Sequence, residues 1–279
     1  MLMNQTIEQP AVVIAEPRKM QQPTHQRAEH GIRAENVTIA FGDAPPVMSN
    51  VNLNVRTGEF LAIVGASGCG KTTLMNAVAG LVPVRGGKVQ VNGHDPVAGQ
   101  PDVAYTLARD ALLPWRTARQ NVEYALMLSG INGAERTATA RKFLDSVGLL
   151  KHENHFPSQL SHGQRQRVAL ARAFAVNRDI YLLDEPFSAL DVQTKVVLHD
   201  QLLALWEATR KTVVFVTHDI GEAVTLADRV IVMGTRGRGI IEEIDVDIPR
   251  PRSAAELQES DAFHHVYKRA WHALRQGMS

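Results

Sequence analysis

The chain holds one cysteine, Cys69, in 279 residues. That excludes an internal disulfide and suits a reducing compartment. It also has almost no excess of charge. Thirty basic residues face 29 acidic ones, a formal net charge of +1, which leaves no electrostatic footprint for nucleic acid; no nucleic-acid partner is expected without a local basic patch. No run approaches the roughly 18 apolar residues of a membrane span, so a soluble or peripheral protein is expected. No secretory signal is expected in the N-terminal region, because the apolar stretch Ala11-Val12-Val13-Ile14-Ala15 is too short and no basic stretch precedes it. Against these absences stands a 44% hydrophobic content, enough for one large domain or a domain with an inserted lobe.

The most informative stretch is Gly65-Ala66-Ser67-Gly68-Cys69-Gly70-Lys71-Thr72, which fits G-x-x-x-x-G-K-[ST] at every fixed position. The run Phe60 to Val64 before it reads as a buried parallel strand, and Leu74, Val78 and Leu81 after it share one helical face. The bland alternative is a glycine-rich turn between strand and helix. The chemical reading is a phosphate cradle: glycines let successive N–H groups converge on a β-phosphate, and the following helix points its positive end at the same anion. Lys71 would reach the β- and γ-phosphates, Thr72 would offer its hydroxyl to magnesium, and Thr73 would touch the α-phosphate. Cys69 lies inside this loop, so a bulky thiol adduct is expected to block nucleotide.

Residues 1–29 are rich in Gln and Pro and lack periodicity, which predicts a disordered tail. From Ile32 to Val91 the pattern has period two around Val37 to Phe41, Val51 to Val55 and Val89 to Val91, predicting an antiparallel β layer. Phe41, before a Gly-Asp turn, either stacks on an adenine ring or packs on the core as a strand-end aromatic. Between Tyr105 and Leu160 helical signals replace strand signals, predicting an inserted helical subdomain at about 105–164. Strands Ile180 to Leu183, Thr212 to Val216 and Arg229 to Met233 then alternate with helices, the pattern of a parallel sheet covered on both faces. Residues 241–279 form a C-terminal extension, with Phe263, Val266, Tyr267, Ala270, Trp271 and Leu274 expected to dock as one stripe on the core.

Three further constellations carry chemistry. Asp184-Glu185 follows the apolar strand Ile180 to Leu183, where ligands bind in open α/β sheets. The pair is either a solvated turn, or an acid holding magnesium beside one that polarises an attacking water. Ser161-His162-Gly163-Gln164 opens a helix; Ser161 and Gln164 make a capping box, or Ser161, the Gly163 amide and the helix N-terminus bind a γ-phosphate on another subunit. His218 ends the strand Thr212 to Val216 and is either structural or a donor to the γ-phosphate.

Taken together, the loop at 65–72, Leu160 to Arg167, Leu182-Leu183-Asp184-Glu185-Pro186, Ser188-Ala189-Leu190-Asp191 and Val216-Thr217-His218-Asp219 resemble the ATP-binding subunit of an ABC transporter over roughly residues 31–240. The resemblance implies an α/β fold: a P-loop NTPase core with a parallel sheet, an antiparallel β layer and an inserted helical subdomain, filling residues 30–240. It implies ATP and Mg2+ as ligands, Phe41 as the adenine-stacking aromatic, Asp184 as the magnesium acid, Glu185 as catalytic base and His218 as switch. It also implies a head-to-tail dimer in which Asp191 lies in a loop crossing the seam and Ser161, Gly163 and Gln164 act in trans. Ala111-Leu112-Leu113-Pro114-Trp115 with Asn121-Val122, and Pro249-Arg250-Pro251-Arg252, are similar to the importer group for nitrate, taurine and aliphatic sulfonates. That similarity implies transmembrane permease subunits, an extracytoplasmic substrate-binding protein, and a peripheral seat on the cytoplasmic face of the inner membrane. Two positions depart from the family pattern: His162 replaces the second signature glycine, and Ala108 stands where a coupling glutamine is usual, with Thr106, Arg109 or Asp110 as neighbours that would take its place. These departures make a degenerate, weakly hydrolysing regulatory subunit the alternative. The stretch from Lys71 to Ser161 leaves no room for the coiled-coil arms of a DNA-repair ATPase, and a translation factor would usually carry two cassettes.

Overall fold

The computed structural model describes residues 30–107, 111–235 and 237–278. The expected disordered tail, residues 1–29, and Ala108, Arg109 and Asp110 lie outside the described residues. In chain order the elements are β1 (His30–Ile39), β2 (Met48–Arg56), β3 (Phe60–Gly65), α1 (Lys71–Val78), β4 (Gly86–Val91), β5 (Val103–Thr106), α2 (Ala118–Leu128), α3 (Gly133–Ser146), α4 (His162–Ala175) and β6 (Ile180–Asp184). There follow α5 (Val192–Thr209), β7 (Thr212–Thr217), α6 (Ile220–Leu226), β8 (Arg229–Met233), β9 (Ile240–Asp245), α7 (Ala254–Leu257) and α8 (Asp261–Met278).

Strands β3, β6 and β7 are buried along their whole length, as continuous apolar runs must be when both faces of a parallel sheet are covered. They sit inside a six-stranded sheet of order β5-β6-β7-β3-β8-β9, parallel except for β9, which runs antiparallel to β8. Alternate side chains divide between two cores. Leu61, Ile63, Leu182, Val214 and Val216 pack towards α1 and the antiparallel sheet β2-β1-β4, where Ile32, Val37, Val51 and Leu53 meet them. Phe60, Ala62, Val64, Leu183 and Phe215 pack on the opposite face with α5, α6, α8 and the helices α2 to α4. In-register pairing, Val64 with Thr217 and Asp184 with Val216, brings the C-terminal ends of β3, β6 and β7 to one edge. That edge is where open α/β sheets bind ligands.

The antiparallel layer and the alternating strands agree with the sequence periodicities, and three details differ. The strand signal does not stop at Tyr105: Tyr105 and Thr106 lie in β5, paired with Leu182 and Leu183, so the sheet continues to Thr106 before the helices begin. Leu81 does not share the face of Leu74 and Val78, because α1 ends at Val78, the chain turns through Gly80 at φ +71°, and Leu81 is 52% exposed. On α8 the buried stripe is Phe263, Val266, Ala270, Ala273, Leu274 and Gly277, whereas Tyr267 and Trp271 stay partly exposed, since the helix rolls its small residues towards the sheet. One bulge also matters. Ile32 and Ala34 share the buried face of β1 with Val37 and Ile39 because a register shift after Ala34, with Asn36 at φ +49°, inserts a residue and flips the phase.

Helix α5 buries a histidine. His199 is 4% exposed, packs edge-on to Phe187 at 4.9 Å, and among the described residues neither ring nitrogen has a partner. Burial lowers its pKa to about 4, with the Lys195 ammonium adding to the effect and Asp219 opposing it. A histidine whose folded pKa lies below its unfolded value contributes full stability above about pH 6.5 and loses it as pH falls towards 4. Between pH 7 and pH 5 the loss expected from this residue is about 2 kcal/mol. Urea titrations of wild type and His199→Leu at both pH values check it: the variant should show the smaller fall, and equal falls would mean that His199 carries none of the acid sensitivity.

Candidate functional site

The loop after β3 curls through Gly68 at φ +78° and Gly70 at φ +102°, conformations that a side chain resists, and delivers Lys71 as the first residue of α1. Lys71 is 5% exposed. Its ammonium donates to the carbonyls of Gly65 at 2.7 Å and Ala66 at 3.1 Å and lies 3.9 Å from the Cys69 sulfur. A cation is thus stored inside a turn whose amides belong to the N-terminal end of a helix, the arrangement that receives phosphate. Cys69 is 2% exposed and part of the core beneath the loop, so an adduct there requires the loop to open.

Thr72 links this loop to the neighbouring strand end: its hydroxyl donates to Asp184 Oδ2 at 2.8 Å. Asp184 is fully buried and, among the described residues, its Oδ1 has no partner. Burial pushes the carboxyl above the usual carboxylate range, the Thr72 hydrogen bond opposes this, Glu185 adds to it and Lys71 opposes it. A buried acid oxygen with no donor beside a threonine hydroxyl is a hard-oxygen set that fits magnesium. Tyr105 stands on the same side of the sheet, its hydroxyl donating to Asn76 Oδ1 at 2.9 Å; burial, then Asp184, raises its pKa.

Glu185 follows at φ +48°, a left-handed backbone that costs a non-glycine residue on the order of 1–2 kcal/mol. Its amide donates to the Val216 carbonyl at 2.8 Å, its carbonyl accepts from Gln166 Nε2 at 3.1 Å, and its carboxylate Oε2 stands 3.6 Å from His218 Nδ1. The bent backbone turns the side chain off the strand line towards the end of β7. There Thr217 is buried and His218 is exposed.

The helical lobe reaches the same region through α4. Ser161 and Gln164 form a reciprocal capping box: the Gln164 amide donates to Ser161 Oγ at 3.2 Å and the Ser161 amide to Gln164 Oε1 at 2.8 Å. Gly163 lies so close to the loop after β6 that a Cβ would stand 3.1 Å from the Ala189 carbonyl oxygen. Asp191 caps α5, accepting from the Thr194 amide at 2.9 Å and the Thr194 hydroxyl at 2.7 Å, bonds that hold its carboxyl below the usual range. Phe41 is 52% exposed beyond the end of β1 and therefore is not packed on the core.

The structure thus brings Lys71, Thr72, Asp184, Glu185 and His218 into one chain of contacts along the sheet edge. Ser161, Gln164 and Asp191 instead satisfy their side chains at the starts of their own helices. Thr106 does not face Asp184 as a substitute for a missing glutamine would. It pairs with Leu183, which with Ala104 belongs to the core on the opposite face from Leu182, and its buried hydroxyl has no partner among the described residues.

Two residues without an assigned sequence role act as clamps, one at the site and one in the helical lobe. Gln166 donates to the Glu185 carbonyl and to Ser188 Oγ at 3.0 Å and accepts from the Ala189 amide at 3.0 Å, clamping α4 to the loop that carries Glu185. Its signal is a glutamine on the inward stripe of α4 with Ala169, Leu170 and Ala173. Asn121, fully buried, donates to the Leu113, Arg116 and Thr117 carbonyls and accepts from the Leu113 amide, fixing the loop that ends in Trp115.

The fold and this edge define a P-loop nucleotide-binding protein with a helical lobe inserted between β5 and β6. The family model described as ABC transporter matches residues 48–188. The chain is 41% identical over 202 residues to the nitrate import ATP-binding protein NrtD of Synechocystis, covering 72% of this chain and 76% of that one. It is 40% identical over 215 residues to the taurine import ATP-binding protein TauB of Escherichia coli O157:H7, covering 77% and 84%. Among solved structures, a dimeric ATP-binding cassette in a post-hydrolysis state bound to ADP and Pi superposes with a TM-score of 0.71 at 34% identity, covering 77% of this chain and 98% of that chain. This chain belongs to the ABC transporter family.

Proposed function

We propose that this chain is the ATP-binding and ATP-hydrolysing subunit of an importer for a small anionic nutrient such as nitrate, taurine or an aliphatic sulfonate. The observation that carries the hydrolytic reading is the Lys71, Thr72 and Asp184 cluster, where a stored cation and a buried acid oxygen with no partner among the described residues meet at one phosphate loop, and the similarity to nitrate and taurine import subunits supports the importer. Thr72 and Asp184 would hold magnesium, which when bound neutralises charge on the transferred phosphate. Lys71 and the loop amides of Gly65, Ala66, Ser67, Gly68, Cys69 and Gly70 bind the phosphates, with Thr73 at the α-phosphate and Phe41 stacking on the adenine. Glu185 takes the proton of the attacking water and His218 donates to the γ-phosphate, so ATP and water leave as ADP and phosphate.

Dimerisation supplies the rest. Ser161, Gly163, Gln164 and Asp191 act across the seam with a second copy of the chain, and the exposure of Ser161 and Asp191 leaves them open to it. Among the described residues no helix is long and apolar enough to cross a membrane. In this reading the subunit works from the cytoplasmic face of the inner membrane, against transmembrane permease subunits served by an extracytoplasmic substrate-binding protein. Phosphate release by the full chain, alone and with its permease, tests the reading: ATP should turn over with magnesium and stop with chelator, and Asp184→Asn should lose most of it. Turnover indifferent to magnesium, or none in either setting, would overturn the assignment.

A further inference from the structure

A buried polar cluster lies between the start of α5 and the loop that carries His218. Glu222 is 5% exposed on α6, and its carboxylate is held from two sides. Thr217 donates to its Oε2 at 2.6 Å, and the Lys195 ammonium pairs with its Oε1 at 2.7 Å. The same Thr217 hydroxyl accepts from the Asp219 amide at 3.0 Å. The two neighbours of His218 are thereby tied to each other and to Glu222.

Asp219 in turn caps α6, its Oδ1 accepting from the Gly221 amide at 2.8 Å and the Glu222 amide at 3.3 Å, while its Oδ2 lies 3.7 Å from Lys195 Nζ. One ammonium therefore touches both Asp219 of the His218 loop and Glu222 of α6. It comes from α5, where the Lys195 amide donates to the Asp191 carbonyl at 2.9 Å. Asp191 ends the loop that starts at Glu185 and is clamped to α4 by Gln166. A cation on the first turn of α5 thus spans the two segments whose side chains, Glu185 and His218, face each other at 3.6 Å.

We propose that Lys195 is a positioning residue, which holds the His218 loop in register with the loop from Glu185 to Asp191 so that both move as one unit when nucleotide binds. The proposal rests on the hydrolytic reading above. Lys195 touches neither Glu185 nor His218; it acts through Glu222, Thr217 and Asp219. The nucleotide cradle, built on β3 and α1, is separate from this cluster, so losing the tie should slow the chemical step and spare binding.

Steady-state turnover of the full chain with its permease tests this, with thermal unfolding measured on the same preparations. Lys195→Met should lower kcat about 10-fold to 100-fold and leave the KM for ATP within about 3-fold. Lys195→Arg, which keeps the cation, should restore most of the rate. Lys195→Met leaves a buried carboxylate without its partner and will also lower stability, so a second variant separates the effects. In Lys195→Met/Glu222→Gln no buried charge is left unpaired, and the melting temperature should recover while kcat stays low. If Lys195→Met folds too poorly to assay, the double variant alone decides. Wild-type kcat in Lys195→Met, or recovery of kcat together with stability in the double variant, overturns the proposal. Glu185→Gln in the same assay keeps the two readings apart: an active Glu185→Gln overturns the base assignment, whereas an inactive Glu185→Gln beside an unaffected Lys195→Met overturns only the positioning role.

Discussion

Glu185→Gln should still bind ATP and lose on the order of 10² to 10⁴ in turnover. The substitution keeps the size and hydrogen-bonding reach of the side chain and removes only its basicity. The surroundings of Glu185 make this a clean change. Its amide and carbonyl are held by Val216 and Gln166, so the left-handed backbone that aims the side chain does not depend on the carboxylate. The side chain itself is only partly buried and stands 3.6 Å from the His218 ring, so no buried ion pair collapses when the charge is lost. A rate loss of that size corresponds to about 3–5 kcal/mol of transition-state stabilisation, more than repositioning one exposed hydrogen bond supplies. ATP affinity by fluorescence titration and phosphate release under saturating ATP measure the two halves. Near wild-type hydrolysis would mean that another group takes the proton.

Arg252→Met should lower the melting temperature by about 10 °C, which for a chain of this size corresponds to about 3–5 kcal/mol. Arg252 is 9% exposed and, among the described residues, its guanidinium has no direct carboxylate partner. It donates instead to backbone carbonyls: Nη1 to Ala227 at 2.7 Å, Thr225 at 3.3 Å and Val224 at 3.4 Å, Nη2 to Ile248 at 2.8 Å and Val246 at 3.2 Å, and Nε to Ile248 at 3.2 Å. The last carbonyls of α6 have no donors of their own within the helix, so Arg252 caps Val224 and Thr225 while Arg250 Nη2 caps Leu226 at 2.7 Å, and Arg252 fastens the segment after β9 across the helix end. Burial lowers the pKa of Arg252 to about 10, with Arg250 adding to the effect, which still leaves it charged at neutral pH. Beside that cap, Arg250 anchors the same segment by stacking over Trp206 at 4.2 Å and pairing with Asp228 at 2.9 Å. Methionine fills a similar volume but leaves several buried acceptors bare, and each costs about 1–3 kcal/mol. Lysine, a point donor on a flexible stem, should recover only a minor part. A shift below about 2 °C for Arg252→Met would mean that water or neighbouring amides satisfy those carbonyls.

Local chemistry is legible in the order of the residues. The spacing of glycines, Lys71 and Thr72 dictates a turn at a helix start, because only that backbone lets the fixed residues occur together, and the turn is where the loop lies. The Ser161 and Gln164 capping box needs three residues of separation and nothing from elsewhere in the chain, and it is present. The buried parallel strands announce themselves as apolar runs, since a strand covered on both faces has no polar side to reveal. Where periodicity misleads, a single backbone event intervenes: Gly80 ends α1 before Leu81, and the bulge at Asn36 reverses the phase of β1.

Partner choice is not legible in the same way, because it is decided by which distant segments the sheet order makes adjacent. Lys195 and Glu222 read as ordinary helix-surface charges until α5 and α6 pack against each other and close around them. The side of the sheet on which Thr106 falls follows from its pairing with Leu183, a contact no local pattern encodes. Arg252 carries the same letters as a solvated basic tail, and only the approach of the α6 terminus turns it into a buried cap. Turns, caps and buried strands depend on forces that act within a few residues, so the order of letters determines them. Desolvation and ion pairing depend on what arrives from the rest of the chain, so the charge state of His199, the partners of Lys195 and the role of Arg252 exist only once the tertiary fold has removed the water.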